Sequence, residues 1–138
     1  MIKQISVRPH HQGLHEITMD VLRAVRESGI RSGLCTLFVK HTSCSLTIQE
    51  NADPSARQDL ERWLNRLVPE NDPLYTHTME GPDDMPSHIK AALTATSLSI
   101  PILNGSLTLG TWQGLFLWEH RKHSSNRKVV IHLMSDSD

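Results

Sequence analysis

The chain has 138 residues, of which 38% are hydrophobic and 21% are charged. This length predicts a single domain over residues 1–138, and the balance excludes a disordered chain. Fourteen basic and 15 acidic residues give a net charge of −1, so we expect no nucleic-acid partner. No apolar run approaches the roughly 20 residues of a membrane span. Residues 1–10 lack an apolar signal core, and the two cysteines form no CxxC motif. We therefore expect no membrane partner and a cytoplasmic location.

The first half of the chain predicts three strands and two helices. Residues 2–8 alternate loosely between apolar and polar types, which predicts a strand, and residues 33–40 and 45–49 predict two buried strands. An apolar stripe over residues 18–28 predicts a helix. The next helix begins with Asp53 as its cap and Pro54 in its first position, and Pro69 ends it.

A long loop and a short helix follow. Residues 69–85 contain three Pro, one Gly and five acidic residues, a composition that predicts an irregular loop. Such loops in small domains are often functional. A short helix is predicted over 86–96.

The last third is rich in predicted strands. Asn104-Gly105 is a favoured two-residue turn and predicts a hairpin over 98–109. Pro101 is expected at an edge or a bulge because it lacks an N–H. Two further strands are predicted over 114–121 and 127–133, and a polar turn over 122–126 joins them. Because strands occur in adjacent groups, we expect an antiparallel α+β protein.

A polar run begins where the strand over 33–40 ends. It could place an imidazole, hydroxyl groups and carboxylates around one small cavity. Its members are His41, Thr42, Ser43, Ser45, Glu50, Asn51 and Asp53. The alternative is structural, with the hydroxyls forming a turn and the acids capping the next helix.

A second cluster lies in and after the long loop. His77, Glu80, Asp83, Asp84 and His88 fall within 12 residues. Imidazoles with carboxylates suit Zn²⁺ or another divalent ion, and the carboxylates alone suit Mg²⁺. The alternative is that Asp84 caps the short helix and the others face solvent.

Two features of the last third are further candidates. Glu119 is expected on the same side of its strand as Leu115 and Leu117, where a carboxylate must be paired, have a raised pKa or serve a site; otherwise it is an ordinary sheet-edge residue. The segment 110–114, GTWQG, could bind an anion through backbone N–H groups and stack Trp112 on a ring. Its alternative is a tight turn with Trp112 in the core. The histidines and basic residues of 120–123 are expected at the solvated surface.

These segments together resemble the YjbQ-like family, described as secondary thiamine-phosphate synthases. The resemblance covers nearly the whole chain and is carried by HTSCSLTIQENAD (41–53), GPDDMPSHIK (81–90), SLSIP (97–101) and NG-SLTLGTWQG-LFLWEH (104–120). The typical family segment is HTSASLTINENAD, so Cys44 stands at a small, Ala-like position. That substitution argues against an essential thiol.

The resemblance implies an α+β fold, a seven-stranded antiparallel or mixed two-sheet sandwich with two to three helices. It also implies a homotrimer whose sheets pack around a threefold axis. It implies one shared cleft near a subunit boundary. The catalytic residues there would be His41, His77, His88 and Glu119. The substrate-binding residues would be Thr42, Ser43, Glu50, Asn51, Gly110, Thr111, Trp112 and Gln113. The candidate ligands of a divalent metal, Mg²⁺ or Zn²⁺, are His77, His88, Asp83 and Asp84.

The implied activity condenses a hydroxymethylpyrimidine pyrophosphate with a thiazole phosphate and releases pyrophosphate, so the expected partner is a small phosphorylated substrate. The sequence has no P-loop and no strong cluster of Lys and Arg, so this could be a secondary activity. Two alternatives stay open. One is a metal-dependent hydrolase. The other is a trimeric protein that binds an anion or another small molecule.

Overall fold

The computed structural model describes residues 1–123 and 125–136, and in these ranges the chain forms eight strands and three helices. The strands are β1 (Ile2–Val7), β2 (Gly13–Glu16), β3 (Ser32–Val39), β4 (Cys44–Glu50), β5 (Ser97–Leu103), β6 (Ser106–Leu107), β7 (Gln113–Glu119) and β8 (Arg127–Ser135). The helices are α1 (Thr18–Ser28), α2 (Pro54–Leu67) and α3 (Asp84–Leu93).

The strands form two antiparallel sheets, which confirms the α+β class. One sheet has five strands in the order β1-β8-β3-β5-β6, and the other has three in the order β2-β7-β4. The expected count of seven strands is wrong, because β2 adds an eighth within the described residues. Its four residues, GLHE, show no apolar alternation of their own, and β2 exists because it pairs with β7, with Leu14 opposite Trp118.

The central strand β7 separates two apolar clusters. On one side Leu115 and Leu117 join the main core between the two sheets and α1. On the other side Phe116 and Trp118 pack against α2 through Leu64. Burying one such side chain fully contributes about 2 kcal/mol to the free energy of unfolding. β7 therefore stabilises both apolar clusters.

Both cysteines are free and buried. Burial raises the pKa of Cys35 to about 11 and that of Cys44 to about 12. Neither thiol is therefore ionised at neutral pH, in agreement with the expectation that Cys44 is not an essential thiol.

Local signals set the ends of the first two helices. α1 ends at Gly29, whose φ of 71° is left-handed. The carboxylate of Asp53 accepts a hydrogen bond from the Ser55 N–H at 2.9 Å, and Pro54 occupies the first position of α2. None of the helices in residues 1–123 and 125–136 is long and apolar enough to cross a membrane.

The bounds predicted for α3 are wrong. The helix spans Asp84–Leu93 rather than 86–96. Pro86 lies inside its first turn, where a missing N–H costs nothing because that turn has no internal acceptor for it. At the other end the chain leaves the helix, and Ala95 forms a bridge with Leu46 of β4.

The predicted hairpin forms at Asn104-Gly105, with φ values of 53° and 77°. β6 is shorter than expected. Thr108 N–H still donates to the Pro101 carbonyl oxygen at 3.0 Å, but Pro101 has no N–H to return the bond, so the ladder stops there. β6 pairs only with Ile102 and Leu103, so Pro101 lies where the β5–β6 pairing ends, and its missing N–H leaves no strand partner without a donor. The turn predicted over 122–126 includes Ser124, which lies outside the described residues.

Candidate functional site

Three predicted metal ligands meet at one carboxylate oxygen. Asp84 begins α3 and His88 follows one turn later, so both project from one face of the helix. His77 reaches the same point from the loop before α3. Asp84 Oδ2 lies 2.7 Å from His77 Nε2 and 3.0 Å from His88 Nε2. The three ligand atoms all lie within 4.8 Å of one another, and we call this group the triad.

The contacts of His88 require a proton or a metal ion inside the triad. Nδ1 of His88 lies 2.8 Å from the carbonyl oxygen of Thr42. That oxygen can only accept, so Nδ1 carries a proton. In a neutral ring Nε2 would then turn its lone pair toward the Asp84 carboxylate, and the two would repel. A proton or a metal ion must therefore lie between Nε2 and Oδ2.

The carboxyl group of Asp84 is held in its ionised form. Burial raises its pKa, but the hydrogen bond from His77 and the charges of His88 and Arg121 outweigh burial, so the pKa lies below its ordinary value. The triad thus offers one ionised carboxylate oxygen and two imidazole nitrogens, a donor set that suits Zn²⁺.

Arg121 holds the other oxygen of Asp84. Its Nη1 donates to Asp84 Oδ1 at 2.6 Å, and its Nε donates to Asp83 Oδ2 at 3.1 Å. The N–H of Lys122 also donates to Asp83 Oδ2, at 2.8 Å. Asp83 is therefore engaged with Arg121 and Lys122, and the structure brings together three of the four predicted ligands without it.

His41 and His88 line one cavity of about 470 Å³. Nε2 of His41 accepts the N–H of Lys128 at 2.9 Å, so the proton of the neutral ring is on Nδ1. Burial lowers the pKa of His41, and the positive charge of Arg127 acts in the same direction. The ring is therefore neutral at neutral pH and can donate through Nδ1.

Thr42 and Ser43 follow His41 in the chain, and the three residues line a second cavity of about 650 Å³. Behind them Glu119 and Arg127 form a buried ion pair, in which Arg127 Nε donates to Glu119 Oε1 at 2.7 Å. Arg127 also donates to the Ser43 carbonyl oxygen at 3.3 Å. The pairing expected of Glu119 is confirmed, and the sheet-edge alternative is wrong because β7 is a central strand.

The remaining predicted substrate-binding residues lie at the other end of the three-stranded sheet. In the β4–β7 pair, Cys44 is opposite Glu119 and Glu50 is opposite Gln113. Six residues of extended strand span about 20 Å, which separates this cluster from the 41–43 segment. Its members are Glu50, Asn51, Gly110, Thr111, Trp112 and Gln113. Within one chain the two clusters do not form one cleft.

The distant cluster has an ordered backbone and an exposed indole. Asn51 N–H donates to the Trp112 carbonyl oxygen at 3.0 Å, and Gly110 N–H donates to Gln113 Oε1 at 2.8 Å. The Trp112 side chain is 64% exposed. The alternative placed Trp112 in the core of the protein, and that placement is therefore wrong.

Comparison with known proteins assigns the family. The profile described as UPF0047 protein YjbQ-like matches residues 3–136. The chain belongs to this family. It is 52% identical over 125 residues to a UPF0047 protein of Synechocystis, which is 91% of this chain and 85% of the relative. It is 41% identical over 135 residues to the UPF0047 protein YjbQ of Escherichia coli O157:H7, covering 97% of each.

A solved structure agrees with this assignment. The crystal structure of an uncharacterized conserved YjbQ/UPF0047 family protein from Clostridium acetobutylicum matches with a TM-score of 0.88 and 36% identity. The match covers 96% of this chain and 99% of that chain. The sheets and helices described above are thus shared with another YjbQ-like protein.

Two site residues of this YjbQ-like chain were missed by the sequence analysis. His120 is buried and its Nε2 lies 2.9 Å from Ser45 Oγ, whereas a solvated surface was expected. Arg121 is the residue that orients Asp84. The alternation Phe116, Trp118, His120 contained a signal for the first, but no local pattern signals the second, because its partners lie 37 and 38 residues away.

Proposed function

We propose that this protein is a metal-dependent hydrolase of a small ester, with His77, Asp84 and His88 as ligands of an ion of the Zn²⁺ type. The observation that carries the proposal is the shared Asp84 Oδ2, which faces two imidazole nitrogens. A tetrahedral ion held by three protein ligands would keep one position open, as in catalytic zinc sites. A bound ion would supply Lewis-acid chemistry at that position.

His41 is the residue that donates to the substrate. Its Nε2 is occupied by the Lys128 N–H, which leaves Nδ1–H as its polar group for a ligand. A neutral donor beside the triad stabilises negative charge as it develops on a substrate oxygen. Arg127 favours this neutral form because its charge lowers the pKa of His41.

The cavity beside His88 sets the size and polarity of the substrate. Its other walls include Ala91, Ala92 and Thr96, so it accepts a small and partly apolar group. A third cavity of about 330 Å³ borders His77 and includes Tyr75 and Met85. The triad thus lies between two spaces that could hold the two parts of an ester.

The test combines metal analysis with turnover. The purified protein is stripped with EDTA, reloaded with Zn²⁺, Mn²⁺ or Mg²⁺, and assayed on p-nitrophenyl acetate and p-nitrophenyl phosphate. His77→Ala and His88→Ala are expected to lose both bound metal and turnover. His10→Ala, which changes an exposed histidine outside the triad, is the matched control. Equal metal content and turnover in all four proteins would overturn the proposal.

A second candidate is the thiamine-phosphate synthase-like condensation implied by the family resemblance, with a small phosphorylated substrate. It is favoured by the two cavities on either side of the triad, because two half-substrates need separate places near one ion. The acidic residues support a Mg²⁺ site less well, since Asp83 and Asp84 both bind Arg121.

One assay separates these functions. The same preparations are incubated with hydroxymethylpyrimidine pyrophosphate, thiazole phosphate and Mg²⁺. Thiamine phosphate formed by the wild type and lost in His88→Ala, without ester turnover, would assign the synthase. Ester turnover alone would assign the hydrolase. Saturable binding of either half-substrate without any turnover would assign the third function, a small-molecule-binding protein.

The homotrimer implied by the resemblance is supported by the outer face of the five-stranded sheet. On this face Phe38 lies opposite Val130, and Leu34 lies opposite Met134. Phe38 is 49% and Met134 55% exposed. The outer face of an antiparallel sheet in contact with water is ordinarily polar, so we propose that other copies of the chain cover this one. Light scattering should give three chains per particle, and Phe38→Lys should give monomers. A monomeric wild type would exclude the trimer.

A further inference from the structure

Lys90 of α3 is the one buried lysine among residues 1–123 and 125–136, with only 4% of its surface exposed. Its Nζ donates to Asn65 Oδ1 at 2.5 Å. None of the ion pairs in this part of the chain includes Lys90. A buried ammonium group is therefore held by one neutral amide oxygen.

A buried ammonium group without a counter-charge lowers the stability of the protein when no ligand is bound. Buried charges in proteins are nearly always paired, because leaving water removes their hydration. An acceptor with a negative charge would pair with the ammonium group and offset this cost.

A cavity of about 290 Å³ adjoins this ammonium group. Its walls are formed by the end of α2, the segment after it, and side chains of α3 and the β7–β8 connection. They are Gln12, Asn65, Val68, Pro69, Glu70, Lys90 and Lys122. Glu70 pairs with Lys122 at 3.0 Å, so the charge of Lys90 remains in excess.

This cavity is separate from the triad. The Lys122 N–H and the Arg121 guanidinium both bind Asp83, and neither Lys90 nor Lys122 lines the cavities that border His88 and His77. The hydrolase proposal does not use Lys90.

We propose that this cavity binds the oxyanion group, phosphate or carboxylate, of a small molecule, which the ammonium groups of Lys90 and Lys122 hold together. The ammonium group of Lys90 has two further N–H donors beyond the one bound to Asn65. Lys122 lies at the open side, with its side chain 58% exposed, and can turn from Glu70 to the entering anion. Charge-assisted hydrogen bonds of this kind are among the stronger polar contacts.

The test is calorimetric titration of the EDTA-treated full chain, in one arm with inorganic phosphate and in the other with acetate. Saturable binding of either probe is expected at one site per chain. Lys122→Gln, a change at an exposed side chain, should weaken it at least about tenfold. Lys3→Gln is the matched control, because Lys3 is a surface lysine that pairs with Glu27 on the five-stranded sheet side. The control should bind as the wild type does.

Asn65→Asp tests the unpaired charge directly without removing Lys90. The new carboxylate would pair with the Lys90 ammonium, so we expect anion binding to be lost and the melting temperature in anion-free buffer to rise. His88→Ala should bind as tightly as the wild type, which excludes the triad as the anion site. No saturable binding by the wild type, or unchanged binding in both Lys122→Gln and Asn65→Asp, would overturn the proposal.

Discussion

His88 Nδ1 donates to the carbonyl oxygen of Thr42 at 2.8 Å, across 46 residues of sequence. This bond joins α3 to the segment that carries His41. It also sets the tautomer of His88, since the proton on Nδ1 leaves Nε2 for the triad. The positions of the proposed metal ligands and of His41, the proposed donor, are therefore coupled.

Asp84→Asn should abolish metal binding while the fold is retained. The amide keeps the shape of the side chain but removes the negative charge that both histidines face. We expect metal affinity to fall at least about 100-fold and ester turnover with it. Metal titration followed by circular dichroism tests this. Full metal occupancy in a folded Asp84→Asn protein would show that the ion lies elsewhere.

Arg121→Met should weaken the metal site without removing a ligand. Its guanidinium orients Asp84 through Oδ1, and partners of this kind contribute roughly 10–100-fold to metal affinity. Leaving two buried carboxylates without this donor should also cost about 1–3 kcal/mol of stability. The control is Arg23→Met, which removes an exposed ion pair with Asp20. Equal metal affinity in both variants would contradict the role of Arg121.

His120 should make stability depend on pH. Burial, with the charges of Lys90 and Arg127, lowers the pKa of His120 from 6.5 to about 3. Below pH 6.5 the unfolded chain takes up a proton at this ring while the folded chain does not. The free energy of unfolding should therefore fall as the pH drops from about 6.5 toward 3, by about 1.4 kcal/mol per unit.

Urea unfolding of the wild type and of His120→Gln at several acidic pH values isolates this contribution. His15 and His41, whose pKa values are also lowered, are present in both proteins and cancel in the comparison. The variant should lose some stability at neutral pH, about 1 kcal/mol for the bond to Ser45, but show a shallower pH dependence. Parallel curves would contradict the prediction.

Glu119→Gln should destabilise the fold by about 3–5 kcal/mol, because it leaves the buried Arg127 without its counter-charge. The double variant Glu119→Leu with Arg127→Met should recover most of that loss. If Glu119 acts only by supporting the 41–43 segment, the refolded double variant keeps bound metal and part of its turnover. Complete loss of turnover with metal retained would instead assign the Glu119–Arg127 pair to the chemistry.

Trp112→Ala tests whether two chains share one site. Trp112 lies about 20 Å along the sheet from the 41–43 segment of its own chain, so we predict that it serves the triad of a neighbouring copy. The variant should lose turnover but keep its metal. Mixing it with His88→Ala after mild dissociation should restore part of the turnover, because hybrids of the proposed trimer would contain some intact sites. Mixtures as inactive as the separate variants would contradict a shared site.

Sequence patterns that act locally predicted the elements well. α1 and α2 begin and end close to where the stripe over 18–28, the Asp53 cap and Pro69 indicate. Such signals are local, since a capping bond joins residues two or three positions apart. The Asn104-Gly105 turn forms for the same reason. The cluster of histidines and acidic residues that contains the triad was also predicted from the sequence, because Asp84 and His88 are one helical turn apart.

Contacts distant in sequence could not be predicted in this way. The choice of Asp84 over Asp83 depends on Arg121, 37 residues away, and the strand β2 exists only beside β7. The separation of the GTWQG segment from the histidines follows from the β4–β7 register. Backbone propensity and side-chain periodicity were thus readable along the chain, whereas the partner of each buried charge depended on which strands and helices packed together.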